Sequence, residues 1–238
     1  MRTRLTLHRG ANRVAPENTR AAAEAAIRYG ADVLEVDVRA SADGTLHNLH
    51  DETVDRTTNG TGRFCDLRDD EIAALDAGSW FSPAFASERI PPLDALCTAV
   101  APRIGFFFDV KSCEPHALAA LVARHDLAER CYILSEDDGL SRALIAAIPQ
   151  ARHMVQYRAI GSAAAAKAAG YRIIELVPDE LDTPHMDEAR AAGLEVQVWC
   201  AEDAPEVFEN MLAFGVDYAN VDHPEAYLSV AARSTAQR

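Results

Sequence analysis

The chain has 238 residues, 49% hydrophobic and 25% charged, with a formal net charge of −14. That length suits one α/β barrel and supplies ample apolar material for its core. So acidic a surface repels nucleic acid and anionic membranes, so neither is an expected partner; a phosphate site must be locally basic or recruit a cation.

The five cysteines, Cys65, Cys97, Cys113, Cys131 and Cys200, are odd in number and form no CxxC pair. A disulfide framework or structural zinc is therefore not expected, and free thiols in a reducing cytosol are. No stretch at the N-terminus reads as a signal peptide, and no window is apolar over a membrane-spanning length. The expectation is a cytoplasmic protein with no stable membrane anchoring.

The first apolar run is 5–8, followed by helical spacing over 18–29. Pro16-Glu17-Asn18-Thr19 before it reads as helix-start chemistry. The second run is 33–38. A further run, 45–50, follows across Asp43-Gly44. Parallel neighbours need a crossover of about a dozen residues, and Asp-Gly is a hairpin signal, so 45–50 is expected antiparallel to an extension of 33–39. A turn centred on 43–44 pairs residue 50 with residue 37 and sets His50 beside Asp37.

Residues 51–92 form a long exception, with Thr57-Thr58-Asn59-Gly60-Thr61-Gly62, a helical patch at 69–75 and Ser79-Trp80-Phe81-Ser82-Pro83. Segments of this length are usually lids or caps. Apolar runs then recur at 104–110, 131–134, 153–156, 173–177, 196–199 and 218–221, with helical spacing at 115–125, 139–148 and 183–192. Eight parallel strands with intervening helices predict a (β/α)₈ TIM-type barrel over 1–238, with a small insertion at about 51–92 after strand two. The polar tail 231–238 reads as frayed.

In such a barrel the chemistry sits at the C-terminal strand ends. Those ends carry His8-Arg9, Glu35-Val36-Asp37, Asp109-Val110-Lys111, Trp199 and Asp222-His223, and the hairpin arm ends at His50-Asp51. Residues two apart share a face, so Glu35 pairs with Asp37 and Asp109 with Lys111. Converging carboxylates need a proton or a cation between them, and their hard oxygens suit Mg²⁺ or Ca²⁺. The competing reading is that these acids form salt bridges with Arg9 and Lys111. His8 and His50 read as an acid–base pair. Arg9 and Lys111 read as counter-charges for a phosphate. Trp199 reads equally as core or pocket wall, Asp222 and His223 as supporting residues, and Glu175 as an interior residue without an assigned role. His47, His116, His125, His153 and His185 read as solvent or helix-face residues.

His8-Arg9-Gly10, Pro16-Glu17-Asn18-Thr19, Glu35-Val36-Asp37-Val38, Asp43-Gly44, His50-Asp51 and Arg56-Thr57-Thr58-Asn59-Gly60-Thr61-Gly62 together resemble the glycerophosphodiester phosphodiesterase family. Ile90-Pro91-Pro92-Leu93, Trp199 and Asp222-His223-Pro224 extend the resemblance along the chain. It implies a TIM-type barrel and hydrolysis of glycerophosphodiesters to sn-glycerol 3-phosphate and an alcohol. It implies a divalent metal on Glu35 and Asp37 with Asp109, paired catalytic roles for His8 and His50, and substrate contacts by Arg9, Lys111 and Trp199. The chain departs from the family pattern in three places. Asp109 stands where the third strand usually carries Glu, Val221 replaces Thr, and Ser135-Glu136-Asp137-Asp138 is more acidic than the usual Ser-Phe. Two other readings share these residues: a sphingomyelinase D-like or lysophospholipase D-type enzyme, and a non-catalytic phosphodiester-binding barrel.

Overall fold

Short strands rich in Val, Ile, Leu and Phe alternate with Ala-rich helices, the pattern of parallel strands joined by right-handed crossovers. The computed structural model describes residues 2–181 and 184–236. In chain order the elements are β1 (Arg4–Leu7), α1 (Arg20–Arg28), β2 (Val33–Ala40), β3 (Leu46–Asn48), α2 (Asp69–Ala73), α3 (Leu93–Val100), β4 (Gly105–Ser112), α4 (Pro115–Arg124), β5 (Cys131–Leu134) and α5 (Asp138–Ala147). They continue with β6 (Arg152–Gln156), α6 (Tyr157–Ile160), α7 (Ala163–Ala168), β7 (Ile173–Leu176), α8 (Pro184–Ala191), β8 (Glu195–Cys200), α9 (Pro205–Phe214), β9 (Tyr218–Val221) and α10 (Pro224–Ala236).

The sheet order is β1-β9-β8-β7-β6-β5-β4-β2-β3, and a β1–β2 pairing closes it. All pairings are parallel except β2–β3. The predicted eight-stranded barrel is therefore present, with β3 as an antiparallel arm on β2.

Alternation along each strand makes two apolar layers. Leu34, Val36, Val38, Phe106, Phe108 and Val110 belong to the main core, together with Ala23, Ala25 and Ala26 of α1. The small alanines let that helix lie close against the strands. Val33, Phe107, Tyr132, Met154, Ile173 and Tyr218 make a separate interior cluster. Each buried Leu, Ile or Phe stabilises by about 1.5–3 kcal/mol relative to exposure. The lower end of the interior is closed by an ion pair of Arg4 with Glu195, joined by Arg152 (3.4 Å), with Arg4 over the Tyr218 ring.

The hairpin differs by one residue from the expected register. Val38 faces Asn48, and the Leu49 N–H donates to the Asp37 carbonyl, so residue 49 lies opposite 37. The cause is the turn. Gly44 N–H donates to Ser41, Ser41 N–H donates to Thr45, and Gly44 has φ 83°. That is a three-residue loop with a left-handed glycine, in place of a two-residue turn.

Residues beyond β3 carry their own small core: Leu49, Val54, Phe64, Ile72, Ala77 and Ile90. The patch expected at 69–75 is the short helix α2. Expected helix 183–192 is α8, with residue 183 outside the described residues. The tail expectation needs correction: α10 continues to Ala236, with Tyr227 and Val230 buried against the barrel, while 237–238 lie outside the described residues. No helix among the described residues is long and apolar enough to cross a membrane.

Candidate active site

β2 and β4 run in register, with Asp37 opposite Asp109. Glu35 lies two residues before Asp37 on the same face. Ligand oxygens of Glu35, Asp37 and Asp109 lie within 4.8 Å of one another. Glu35 is 1% exposed and Asp37 0%. Burial, then the nearby Asp37 and Asp109 charges, pushes the Glu35 carboxyl well above the usual carboxylate range. Burial likewise pushes Asp109 up to about 6, against the opposing Lys111 charge.

Part of the salt-bridge reading is also realised. Lys111 donates to Asp109 Oδ2 at 2.7 Å and lies 3.4 Å from Asp37 Oδ1. Asp109 Oδ1 and Asp37 Oδ1 nevertheless remain buried without a hydrogen-bond partner. Orphaned acceptors beside a raised Glu35 are what a cation would satisfy. With all three carboxyls ionised, as a bound cation would favour, they exceed Arg9 and Lys111 by one negative charge, and an all-oxygen donor set fits a hard divalent ion.

The turn after β1 is shaped to serve this cluster. Arg9 and Asn18 have φ of 54° and 59°, unusual for residues other than glycine. Their backbones are tied, Asn18 N–H to Arg9 O at 3.0 Å. Gly10 has φ 79°, and a Cβ there would meet the Ala22 backbone at 2.8 Å. This conformation points the Arg9 N–H at Glu35 Oε2. It also brings the Arg9 guanidinium to Glu17 at 2.9 Å and to within 3.5 Å of Asp37.

The Pro16–Thr19 segment is therefore more than helix-start chemistry. Only Thr19 caps α1, accepting from Ala22 N–H. Asn18 Nδ2 donates to Asp37 Oδ2 at 2.8 Å, and from the other side Asn48 Oδ1 accepts the Asp37 N–H at 2.9 Å. Glu17 accepts from both Arg9 and Arg56.

His8 and His50 both face a cavity of about 150 Å³, with Arg9, Glu35, Asp109 and Lys111 in its wall. A larger cavity of about 650 Å³ lies elsewhere, lined by residues such as Leu5, Leu212 and Leu228, without a cluster of acids. Each histidine has a carboxylate on Nδ1: Asp222 at 2.7 Å for His8 and Asp51 at 2.8 Å for His50. In each case Nε2 is left to face a substrate. Asp51 is also held by Arg56 Nε at 2.6 Å, which with His50 keeps its carboxyl at about 2. A chain Arg9–Glu17–Arg56–Asp51–His50 thus joins the two sides of the mouth. Burial lowers His50 from its ordinary value, and the Arg9 and Lys111 charges add to that against Asp37 and Asp51.

Trp199 is 40% exposed, with its ring 5.2 Å from His8, so it lines the wall and is not core. Glu175 faces the cavity and accepts from Gln197 and Gln156 at 2.9 and 3.0 Å. Asp222 supports His8, whereas His223 lines a separate cavity with Arg13 and Tyr29. Two of the histidines expected in solvent are buried instead. His47 packs edge-on to Phe64, and His153 bonds the Ile148 carbonyl at 3.0 Å.

Glu17, Asn18, Asn48, Arg56 and Asn220 are the site residues that sequence reasoning missed. Glu17, Asn18 and Arg56 stand inside the quoted motifs, but Asn48 and Asn220 carry no local signal.

A model of the glycerophosphoryl diester phosphodiesterase family matches residues 8–113. The glycerophosphodiester phosphodiesterase of Caldanaerobacter subterraneus is 52% identical over 93 residues, covering 39% of this chain and 38% of that one. The chain's matches span less than half the length of the curated relatives. Likeness to solved structures runs further. The glycerophosphodiester phosphodiesterase from Agrobacterium tumefaciens superposes with TM-score 0.92 at 38% identity, over 95% of this chain and 99% of that one. A phosphodiesterase of Oleispira antarctica, solved with the product sn-glycerol-3-phosphate, superposes with TM-score 0.85 at 23% identity, over 96% of each chain, and speaks for the fold alone.

Proposed function

From a chain that belongs to the glycerophosphodiester phosphodiesterase family, we infer an enzyme that hydrolyses glycerophosphodiesters to sn-glycerol 3-phosphate and an alcohol. The observation that carries this reading is the convergence of Glu35, Asp37 and Asp109 with two carboxylate-held histidines at one barrel mouth.

Glu35, Asp37 and Asp109 would hold a divalent cation, Mg²⁺ or Ca²⁺. When bound, it supplies Lewis-acid polarisation of a phosphate oxygen and turns the local excess of one negative charge into one positive, matched to a phosphodiester monoanion. Arg9 and Lys111 hold the non-bridging oxygens and stabilise charge building on phosphorus. Asp109 already engages Lys111 through one oxygen, so the shorter acid at this position leaves one oxygen for the ion. That makes the preferred ion a property of this chain's own geometry.

His8 takes the proton from a glycerol hydroxyl as that oxygen bonds to phosphorus. His50 gives a proton to the departing alcohol as its ester bond breaks. Water then opens the cyclic phosphate with the roles reversed, His50 taking a proton and His8 returning one. Asp222 and Asp51 fix the Nδ1 protons and leave Nε2 for these transfers. Trp199 walls the cavity beside His8 and bounds the substrate. The five free thiols suit a reducing, cytoplasmic setting.

The test is turnover of glycerophosphocholine, glycerophosphoethanolamine and lysophosphatidylcholine by the purified chain with each divalent ion, followed by phosphorus NMR. The expected result is release of glycerol 3-phosphate from the glycerophosphodiesters. EDTA abolishes it and added Mg²⁺ or Ca²⁺ restores it. H8A and H50A each lose at least about 10²-fold in kcat. Ligand binding without turnover under every ion, or near-full rates from either histidine variant, overturns the reading.

A further inference from the structure

Asn220 lies inside the barrel on β9, 2% exposed and in the wall of the catalytic cavity. Asparagine is disfavoured in strands, and a buried polar atom left without a partner costs about 1–3 kcal/mol. Its amide oxygen, Oδ1, has none. Among the buried amides nearby, Asn18 Oδ1 is likewise without a partner, but Asn18 is anchored through Nδ2 and the others through their oxygens. Asn18 and Asn48 bond Asp37, and Gln197 bridges Glu175 and Tyr132. A leucine would fill the same volume, so packing gives no reason for an amide here.

Register locates the orphan atom. Asn220 faces Thr6 of β1 on one side and Trp199 of β8 on the other. Residues two apart share a face, so Asn220 sits one layer below His8 and Asp222, at the foot of the His8–Trp199 contact. The phosphate is expected on the other side, at Arg9 and Lys111.

An unpaired acceptor also selects its ligand chemically. A phosphodiester monoanion has no hydrogen to give, and an amide oxygen facing it is repelled. A hydroxyl has one. We propose that Asn220 is a substrate-positioning residue whose Oδ1 accepts a hydroxyl hydrogen from the glycerol portion of the substrate, holding that portion beside His8. This rests on the functional reading above, in which His8 deprotonates a glycerol hydroxyl. It goes beyond that reading in assigning a residue that discriminates a polyol phosphate from a plain alkyl phosphate. A buried acceptor that must be satisfied rejects a ligand lacking the donor more strongly than an apolar wall does.

The experiment is calorimetric titration of the intact protein, with saturating Mg²⁺ or Ca²⁺, using sn-glycerol 3-phosphate and propyl phosphate as probes. The wild type is expected to prefer glycerol phosphate. Asn220→Leu, close in volume and without an acceptor, loses about 10-fold in affinity for glycerol phosphate and stays within about twofold for propyl phosphate. Asn220→Ser, which keeps an acceptor, recovers part of the preference. Equal binding of both probes by the wild type overturns the proposal. So does an unchanged preference in N220L, or equal weakening of both probes, which marks a packing role only. Wild-type turnover of glycerophosphocholine is measured alongside. Turnover with an unaltered preference in N220L defeats this inference alone. Preference lost in N220L without wild-type turnover defeats the hydrolase reading alone.

Discussion

His50 illustrates how much of this site is set by charges around one side chain. Burial holds its imidazole below the ordinary histidine value, and Arg9 and Lys111 press in the same direction. A substrate phosphate between those two cations offsets them, so His50 binds its proton more tightly in the complex than in the free protein. As the proposed acid, His50 works protonated, and activity is lost as pH rises through its pKa. The alkaline limb of kcat, which reports the complex, is therefore expected at higher pH than that of kcat/KM, which reports the free enzyme. Coincident limbs, or a kcat limb at lower pH, would remove His50 from that role. At this scale the grouping of His8, His50, Glu35, Asp37, Asp109, Arg9 and Lys111 at the barrel mouth was readable, the acids and Lys111 from strand ends and two-residue alternation and His50 from the Asp43-Gly44 hairpin, whose register is one residue off the expected one. Asn18 was not, since Asn before a helix is also an ordinary start residue. Nor was Asn220, whose meaning depends on neighbours from β1 and β8 that no local spacing reveals.

Among the elements, the insertion after β3 reaches the chemistry through Asp51, which bonds His50, and through Arg56. Arg56 lies beyond the hairpin arm, yet its guanidinium spans Asp51 and Glu17, and through them His50 and Arg9. Both acids accept from it in a fork that only arginine supplies. The eight strands and the arm were legible from apolar runs and Asp43-Gly44. The turn's third residue was not, because Asp-Gly suits both loop lengths and only the observed bonds of Ser41 and Gly44 decide between them. The small core of Val54, Phe64 and Ile72 holds the insertion independently of Arg56. Arg56→Ala is accordingly expected to lower kcat by about 10-fold while shifting Tm by only a few degrees, since a half-exposed ion pair contributes about 1 kcal/mol or less. Arg56→Lys, keeping charge but not the fork, should recover little. Full activity in the alanine variant would show that Asp51 and His50 need no support from Arg56.

For the whole molecule, the buried acids set a cost that the proposed cation would relieve, and the cost depends on pH. Burial raises Glu35, Asp109 and Glu175 above their ordinary values. The folded state therefore keeps protons that the unfolded chain releases, and the stability tied to these groups falls as pH rises from about 4 through their folded values. His47 and His153 act oppositely, since burial lowers them and their stability is lost as pH falls below about 6.5. The two trends overlap near pH 5, so the plain stability profile does not separate them. The difference in Tm with and without cation does, because the histidines contribute equally to both measurements. An ion competes with the protons on Glu35 and Asp109, so its effect must grow as pH rises. At a concentration of about 100 times its Kd it adds about 2.7 kcal/mol, or roughly 5–10 °C for a chain of this length. That gain is expected at pH 8, to shrink at pH 5, and to vanish in Asp37→Asn at either pH. A gain independent of pH would place the ion somewhere other than the three acids at the barrel mouth.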